Sequence, residues 1–189
     1  MALNFTDLKK GTIFQLDGVP YKVLEYNHKM MGRGSSTVSV KIRNLADGKV
    51  LDKTFKGSEN IDNADVTNRP VQYLYAGGGQ YHFMDSENHE QFSLSEAQME
   101  DKKNYLMEDS NTTGQFFDGR LISIELPKNL PLKVTYTEDA VRGDTSTAVT
   151  KNATLETGLT IKVPGFIKQG DLISVDTATG AYRERERVK

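Results

Sequence analysis

The sequence predicts an all-β protein made of three small barrels in series, and three observations predict it. Short apolar–polar alternating segments rich in β-branched residues recur along the chain, separated by Asp-Gly and glycine-rich turns. Only one segment carries the chemistry that starts a helix. The charge of the 189-residue chain is also uneven: residues 1–64 hold ten Lys/Arg against seven Asp/Glu, residues 65–127 four against eleven, and residues 128–189 ten against eight. A basic, an acidic and a basic third suit three separate domains, two of them fit for contact with phosphates.

In the first domain, 1–64, Thr12 to Leu16 is followed by Asp17-Gly18, a strong hairpin signal, and then by Tyr21 to Leu24. After a glycine-rich tip, Thr37 to Ile42 places apolar residues at every second position, and Asp47-Gly48 turns the chain into Val50 to Phe55. Several short strands at this spacing predict a small barrel, which closes the sheet and removes its edges. The central domain, 65–127, repeats the theme. Val71 to Tyr75 and Tyr81 to Met84 flank Gly77-Gly78-Gly79, and Phe116 to Ile122 forms one more hairpin around Asp118-Gly119. Its one helix is expected from Ser95 to Tyr105, with Ser95 as cap and Gln98 at the capping-box position. Pro127 and Pro131 bracket the change to the third domain, 128–189, with strands expected near Lys133–Tyr136, Thr160–Val163, Leu172–Asp176 and Ala181–Arg187. About five strands in some 60 residues fit an oligonucleotide/oligosaccharide-binding (OB) barrel. Each domain is near the lower size limit for a core of its own, so packing between domains is expected to matter.

No enzyme is expected. The chain has no cysteine, which removes disulfides, thiolate metal sites and a cysteine nucleophile, and fits a reducing cytosol. His82 and His89 are seven apart around a turn, away from the spacing of a helical zinc pair, and no metal is expected. No phosphate-binding loop or nucleophile elbow is present, and Gly77-Gly78-Gly79 leads into a strand. Met1 to Lys10 lacks the pattern of a signal peptide, and no stretch is apolar for the length of a membrane helix, so a cytoplasmic protein without membrane contact is expected. A general single-strand nucleic-acid binder would interleave basic and stacking residues, whereas the last 62 residues offer only Tyr136, Phe166 and Tyr182 as aromatics.

The segment that stands out is His28-Lys29-Met30-Met31-Gly32-Arg33-Gly34-Ser35-Ser36, between two strands. Gly32 and Gly34 leave a thin backbone beside Arg33, whose guanidinium could enter a narrow phosphate-lined space. Tyr21 to Ile42 resembles the first hairpin of the elongation factor P family, whose tip usually reads Lys-Pro-Gly-Lys-Gly or an arginine version of it, and Arg33 falls at the tip position. Lys151-Asn152-Ala153, Gly158, Ile161, Val163-Pro164, Ile167 and Gly170 are similar to the family's C-terminal signature, and Arg142-Gly143-Asp144-Thr145 to the loop before it. Tyr73-Leu74-Tyr75, Phe83-Met84-Asp85 and Gly180-Ala181-Tyr182 fall where the family has equivalents, so the resemblance covers essentially the whole chain. Gly143-Asp144-Thr145 favours the main branch over the arginine-tipped paralogue, which lacks that loop sequence.

The resemblance implies an SH3-like (KOW) barrel followed by two OB-type barrels in an L-shaped mimic of tRNA. It implies a monomeric accessory factor that binds both ribosomal subunits between the peptidyl-tRNA and exit sites and relieves stalling at consecutive prolines. Peptidyl-tRNA and rRNA are the implied partners, with mRNA at the exit site a further candidate. Arg33, flanked by Met31, Gly32 and Gly34, would approach the peptidyl-tRNA acceptor end, and Gly143, Asp144 and Thr145 would form the codon-side loop. No cofactor is implied. Tip arginines of the family can be rhamnosylated, which would add a glycosyltransferase partner. Here Met30-Met31 replaces the usual lysine and proline, and modified and unmodified function both stay open.

Overall fold

The computed structural model describes residues 2–4, 7–29, 37–56, 59, 61–138 and 150–186. The described residues form sixteen strands in three antiparallel sheets, with a single one-turn α-helix. Contacts gather the chain into two compact units, one from Met1–Glu100 and Thr113–Glu125, the other from Asp101–Thr112 and Leu126–Lys189.

The first unit holds two sheets. β1 (Ala2–Leu3), β2 (Ile13–Leu16), β3 (Val19–Lys29), β4 (Thr37–Asn44), β5 (Val50–Lys56) and β6 (Ile61–Asn63) are ordered β1-β6-β2-β3-β4-β5. Alternation does what it predicts in β4: Val38, Val40 and Ile42 are buried, and with Leu8, Phe14, Val23, Phe55 and Ile61 they make one core. Phe14 is its centre, 5.9 Å from both the Tyr21 and Phe55 rings. The second sheet is ordered β11-β10-β7-β8-β9, from β7 (Val66–Gly77), β8 (Gln80–Asp85), β9 (Gln91–Ser95), β10 (Asn111–Phe117) and β11 (Arg120–Glu125). Its two edge strands, β11 and β9, approach each other, which curls the sheet. On β7 the partly exposed Arg69 lies 3.7 Å from the buried Asp85 of β8, its guanidinium also 4.9 Å from the Phe116 ring.

Helix α1 spans only Glu96–Met99, with a 3-10 turn at Lys103–Tyr105, rather than one helix from Ser95 to Tyr105. Its start matches expectation: Ser95 caps it and Gln98 closes the capping box. It stops early because the next positions, Glu100 and Asp101, put two acids at the negative end of the helix, which has no basic residue in its last turn.

The second unit holds β12 (Asn129–Thr137), β13 (Thr150–Leu155), β14 (Thr160–Pro164), β15 (Leu172–Asp176) and β16 (Tyr182–Arg185), ordered β14-β13-β12-β15-β16. Leu132, Val134, Ala153, Leu155, Val163, Ile167, Ile173 and Val175 form its core. Tyr105 and Met107, from the segment that interrupts the central sheet, pack on this core as well. β12 starts four residues before the expected Lys133 and runs through Pro131. The proline is tolerated because β12 pairs only with β15 at that point; pairing with β13 begins at Val134, so no ladder bond is lost.

Candidate functional site

The β3–β4 hairpin is the longest two-strand arm of the first sheet, paired from Tyr21↔Asn44 out to Lys29↔Thr37. Beyond Ile13 and Lys22 the β2 strand no longer accompanies it, so among the described residues the outer half of β3 has β4 as its one neighbour in the sheet. β4 is paired on its other side by β5 along its full length, Thr37↔Lys56 to Arg43↔Val50. The core reaches the outer end of this arm: Val38, opposite His28, is 0% exposed. A turn set on that base starts from an anchored pair of strands. Across the arm, Lys41 Nζ lies 3.1 Å from Glu25 Oε1, and Ser39 and Thr54 hydroxyls are 3.0 Å apart. The tip itself, with Met31, Gly32, Arg33 and Gly34, lies outside the described residues.

A second hairpin, β12–β13, carries the other predicted loop. Its ends are fastened by Thr137 Oγ1 donating to the Asn152 carbonyl at 3.0 Å and Lys151 Nζ donating to the Glu138 carbonyl at 2.9 Å. Gly143, Asp144 and Thr145 lie outside the described residues. The turn between β15 and β16 is set by Asp176, whose Oδ1 accepts from the Ala178 and Thr179 N–H groups at 3.0 Å and whose Oδ2 accepts from Arg183 Nε at 3.2 Å. The Arg183 guanidinium, ahead of those N–H groups, holds the Asp176 carboxyl at about 2. Tyr105 is pushed up by burial first and by the Asp176 charge second.

The three aromatics of the last third divide. Tyr136 and Phe166 are 60% and 62% exposed, whereas Tyr182 packs on the core. An open groove of about 560 Å³ lies between β14 and the β15–β16 turn, and Thr150, Thr160, Lys162, Pro164, Gly180 and Tyr182 are among its walls. Those walls pair no acid with a base. His82 stacks on the half-exposed Tyr75 with ring centroids 4.6 Å apart, and His89 sits in a turn at φ +60. Among the described residues no three His, Cys, Asp or Glu side chains converge as a metal site, and none of the helices is long and apolar enough to cross a membrane.

One cluster was not predicted. Leu45, Ala64, Phe117 and Ile122 are buried together, with Ile13 and Val66 against them, so the first and second sheets share an apolar seam. Along its rim, Gln98 Nε2 donates to the Leu45 carbonyl at 2.7 Å, and Arg43 lies 3.8 Å from Glu100. Gln98 was legible as a capping residue, but nothing local in the sequence points from it to Leu45, 53 positions away.

Comparison with known proteins follows the same three sheets. Residues 4–61 match the elongation factor P KOW-like domain, 66–124 the elongation factor P OB domain, and 130–185 the elongation factor P C-terminal domain. Elongation factor P of Moorella thermoacetica is 43% identical over 183 residues, covering 97% of this chain and 99% of that protein. Elongation factor P of Natranaerobius thermophilus is 44% identical over 183 residues, covering 97% of each. Among solved structures the chain is similar to eukaryotic translation initiation factor 5A from Methanococcus jannaschii, at 17% identity and a TM-score of 0.49, over 66% of this chain and 94% of that one. An all-β chain of a KOW-like and OB-type sheets, matched along nearly its whole length, defines a translation factor of the elongation class. The chain belongs to the elongation factor P family.

Proposed function

We propose that this chain binds the ribosome between the peptidyl-tRNA and exit sites and speeds peptide-bond formation where consecutive prolines stall it. One observation carries the reading beyond family membership: the β3–β4 arm keeps a fully buried residue, Val38, at its outer end, so whatever its turn presents is presented from a firm base. In the sequence that turn presents Arg33. Its permanent charge and planar fork suit the phosphates and hydroxyls of the peptidyl-tRNA acceptor end. Proline, with its ring-fixed φ, is a poor nucleophile to align, and ordering the other reactant lowers the barrier without any bond chemistry by the factor. Gly143, Asp144 and Thr145 take the codon-side contact in this reading, the three domains divide at 64/65 and 127/128, and the protein works as a cytoplasmic monomer.

The test is a reconstituted translation reaction with a Pro-Pro reporter, run with the native protein and with Arg33→Ala. Loss of one charge-assisted contact lowers stimulation about tenfold or more while ribosome co-sedimentation persists. Undiminished stimulation by Arg33→Ala removes Arg33 from the role. Intact mass of the native protein settles the modification: a mass equal to that of the sequence rules out a stable sugar on Arg33.

A further inference from the structure

The turn between β4 and β5 meets helix α1 at three places. Gly48, buried and at φ +79, lies so close to the helix that a Cβ there would sit 2.7 Å from the Ala97 carbonyl carbon and 2.8 Å from the Ala97 Cβ and the Gln98 nitrogen. Gln98 Nε2 donates to the Leu45 carbonyl at 2.7 Å. The buried Arg43 faces Glu100, the residue that ends the helix, at 3.8 Å. Under these contacts runs the seam of Leu45, Ala64, Phe117 and Ile122, and only Ala64 and Asp65 connect β6 to β7.

A four-residue helix has no stability of its own in water. This one persists because its single turn is capped at one side and clamped at the other, and one side chain does both. Gln98 Oε1 accepts from the Ser95 N–H and lies within hydrogen-bond distance of the Ser95 hydroxyl, both at 2.9 Å, while its Nε2 reaches across to the first sheet. A glutamate would serve the cap as well, since Ser-x-x-Glu is the common capping box. It has no hydrogen to give the Leu45 carbonyl. The amide, rather than the acid, is what the second contact needs.

We propose that Gln98 and Gly48 are positioning residues for the tip: the helix–turn joint locks the barrel that bears the β3–β4 arm onto the central barrel, and so sets where that arm points. The proposal rests on the tip reading above. β4 leads from the tip directly into the clamped turn, Thr37 to Asn44 and then Leu45, so a tilt at the joint is carried along the strand. At about 3.3 Å per residue, β4 acts as a lever of roughly 25 Å, and a tilt of some 5° displaces its outer end by about 2 Å. Misplacement on that scale matters for a factor that acts by alignment.

The experiment uses Gln98→Glu, which keeps the cap and cuts the link, alongside Gln98→Ala, which cuts both, and Gly48→Ala, which wedges the joint. The chain has no cysteine, so a spin-label pair at Asp52→Cys and Glu90→Cys, both exposed, reports the distance between the two barrels. Gln98→Glu is expected to melt close to the parent temperature yet broaden the label-to-label distribution. In the Pro-Pro reaction its maximal rate at saturating factor falls about fivefold while the half-saturating concentration changes little. A merely structural role would reduce the folded fraction instead, and saturating protein would restore the full rate. An unchanged distance distribution, or a parent-like maximal rate in Gln98→Glu, overturns the proposal. If the parent protein itself gives no stimulation, the tip reading fails separately, and the positioning role falls with it, whatever the labels report.

Discussion

Asp17-Gly18 and Asp47-Gly48 look alike in sequence and do different work. At Asp17-Gly18 both residues have positive φ, +51 and +75, the geometry of a two-residue type I′ hairpin, and a Cβ on Gly18 would meet nothing within 4 Å. Asp118-Gly119 repeats it, at φ +48 and +74 and with open space around Gly119. The loop holding Asp47-Gly48 is longer, from Leu45 to Lys49, and is shaped by side chains: Asn44 Oδ1 accepts from the Ala46 N–H at 2.8 Å and Asp47 Oδ1 from the Lys49 N–H at 3.0 Å. That backbone donor, first among several causes, draws the Asp47 carboxyl below its ordinary range. Here Gly48 is needed twice, once for its φ and once for the absence of a side chain against Ala97. The same dipeptide can therefore be a local turn signal or half of a tertiary contact, and only the surroundings tell which.

Substitutions at these turns sharpen the contrast. Gly48→Ala should cost the most, about 4 kcal/mol, from left-handed strain together with overlap against the Ala97 backbone, read by denaturant unfolding of the full chain. A cost equal to that of Gly18→Ala would mean that the joint yields freely and the comparison is empty. Ile122→Ala, deleting a buried branch from the seam without touching any turn, is expected to cost about 3 kcal/mol. Its size relative to Gly48→Ala separates seam packing from turn clamping. Gly18→Ala should cost about 1 kcal/mol, the strain alone.

The smallest effect belongs to a turn of a third kind, Thr177 to Gly180, where an aspartate and an arginine replace Asp-Gly chemistry. Asp176 is held at about 2 against an ordinary 3.8, so the folded form binds its proton less readily than the unfolded chain. Its contribution is thus present above about pH 4 and fades as the pH falls toward 2. Asp176→Asn should lower the thermal midpoint modestly at pH 7, and the gap to the parent should close on acidification toward pH 2. A gap that stays constant with pH would show that the Arg183 pairing adds nothing beyond the hydrogen bonds an asparagine can keep.

Most strands were legible because alternation and turn chemistry are local. Leu172–Asp176 is found as predicted, and Thr37–Ile42 extends by only two residues. What escaped was short or non-local. β6 has three residues and exists because β1 and β2 flank it; β9 reads as polar Gln-Phe-Ser; β13, Thr150–Leu155, has only Ala153 and Leu155 buried. The helix was overextended because its capping box is real but its continuation is acidic. Of the site, the β3–β4 stem and the β12 side of the second stem were readable, its β13 side was not, and Arg33 and Gly143 to Thr145 lie outside the described residues. The joint was invisible, since its residues meet only after two sheets have formed.

The chain leaves the first compact unit at Glu100, contributes Tyr105 and Met107 to the second, and re-enters the first at Thr113 before departing again after Glu125. The two units are thus threaded by three crossings, not joined by one linker. A ribosome making this protein finishes the first sheet early, yet cannot complete the central barrel until the bench on which the last barrel will rest has been laid down. A fragment starting at residue 128 would lack that bench and expose the apolar ground beneath it, so dissection of the last barrel should begin no later than residue 101 and tolerate the two central strands that come with it.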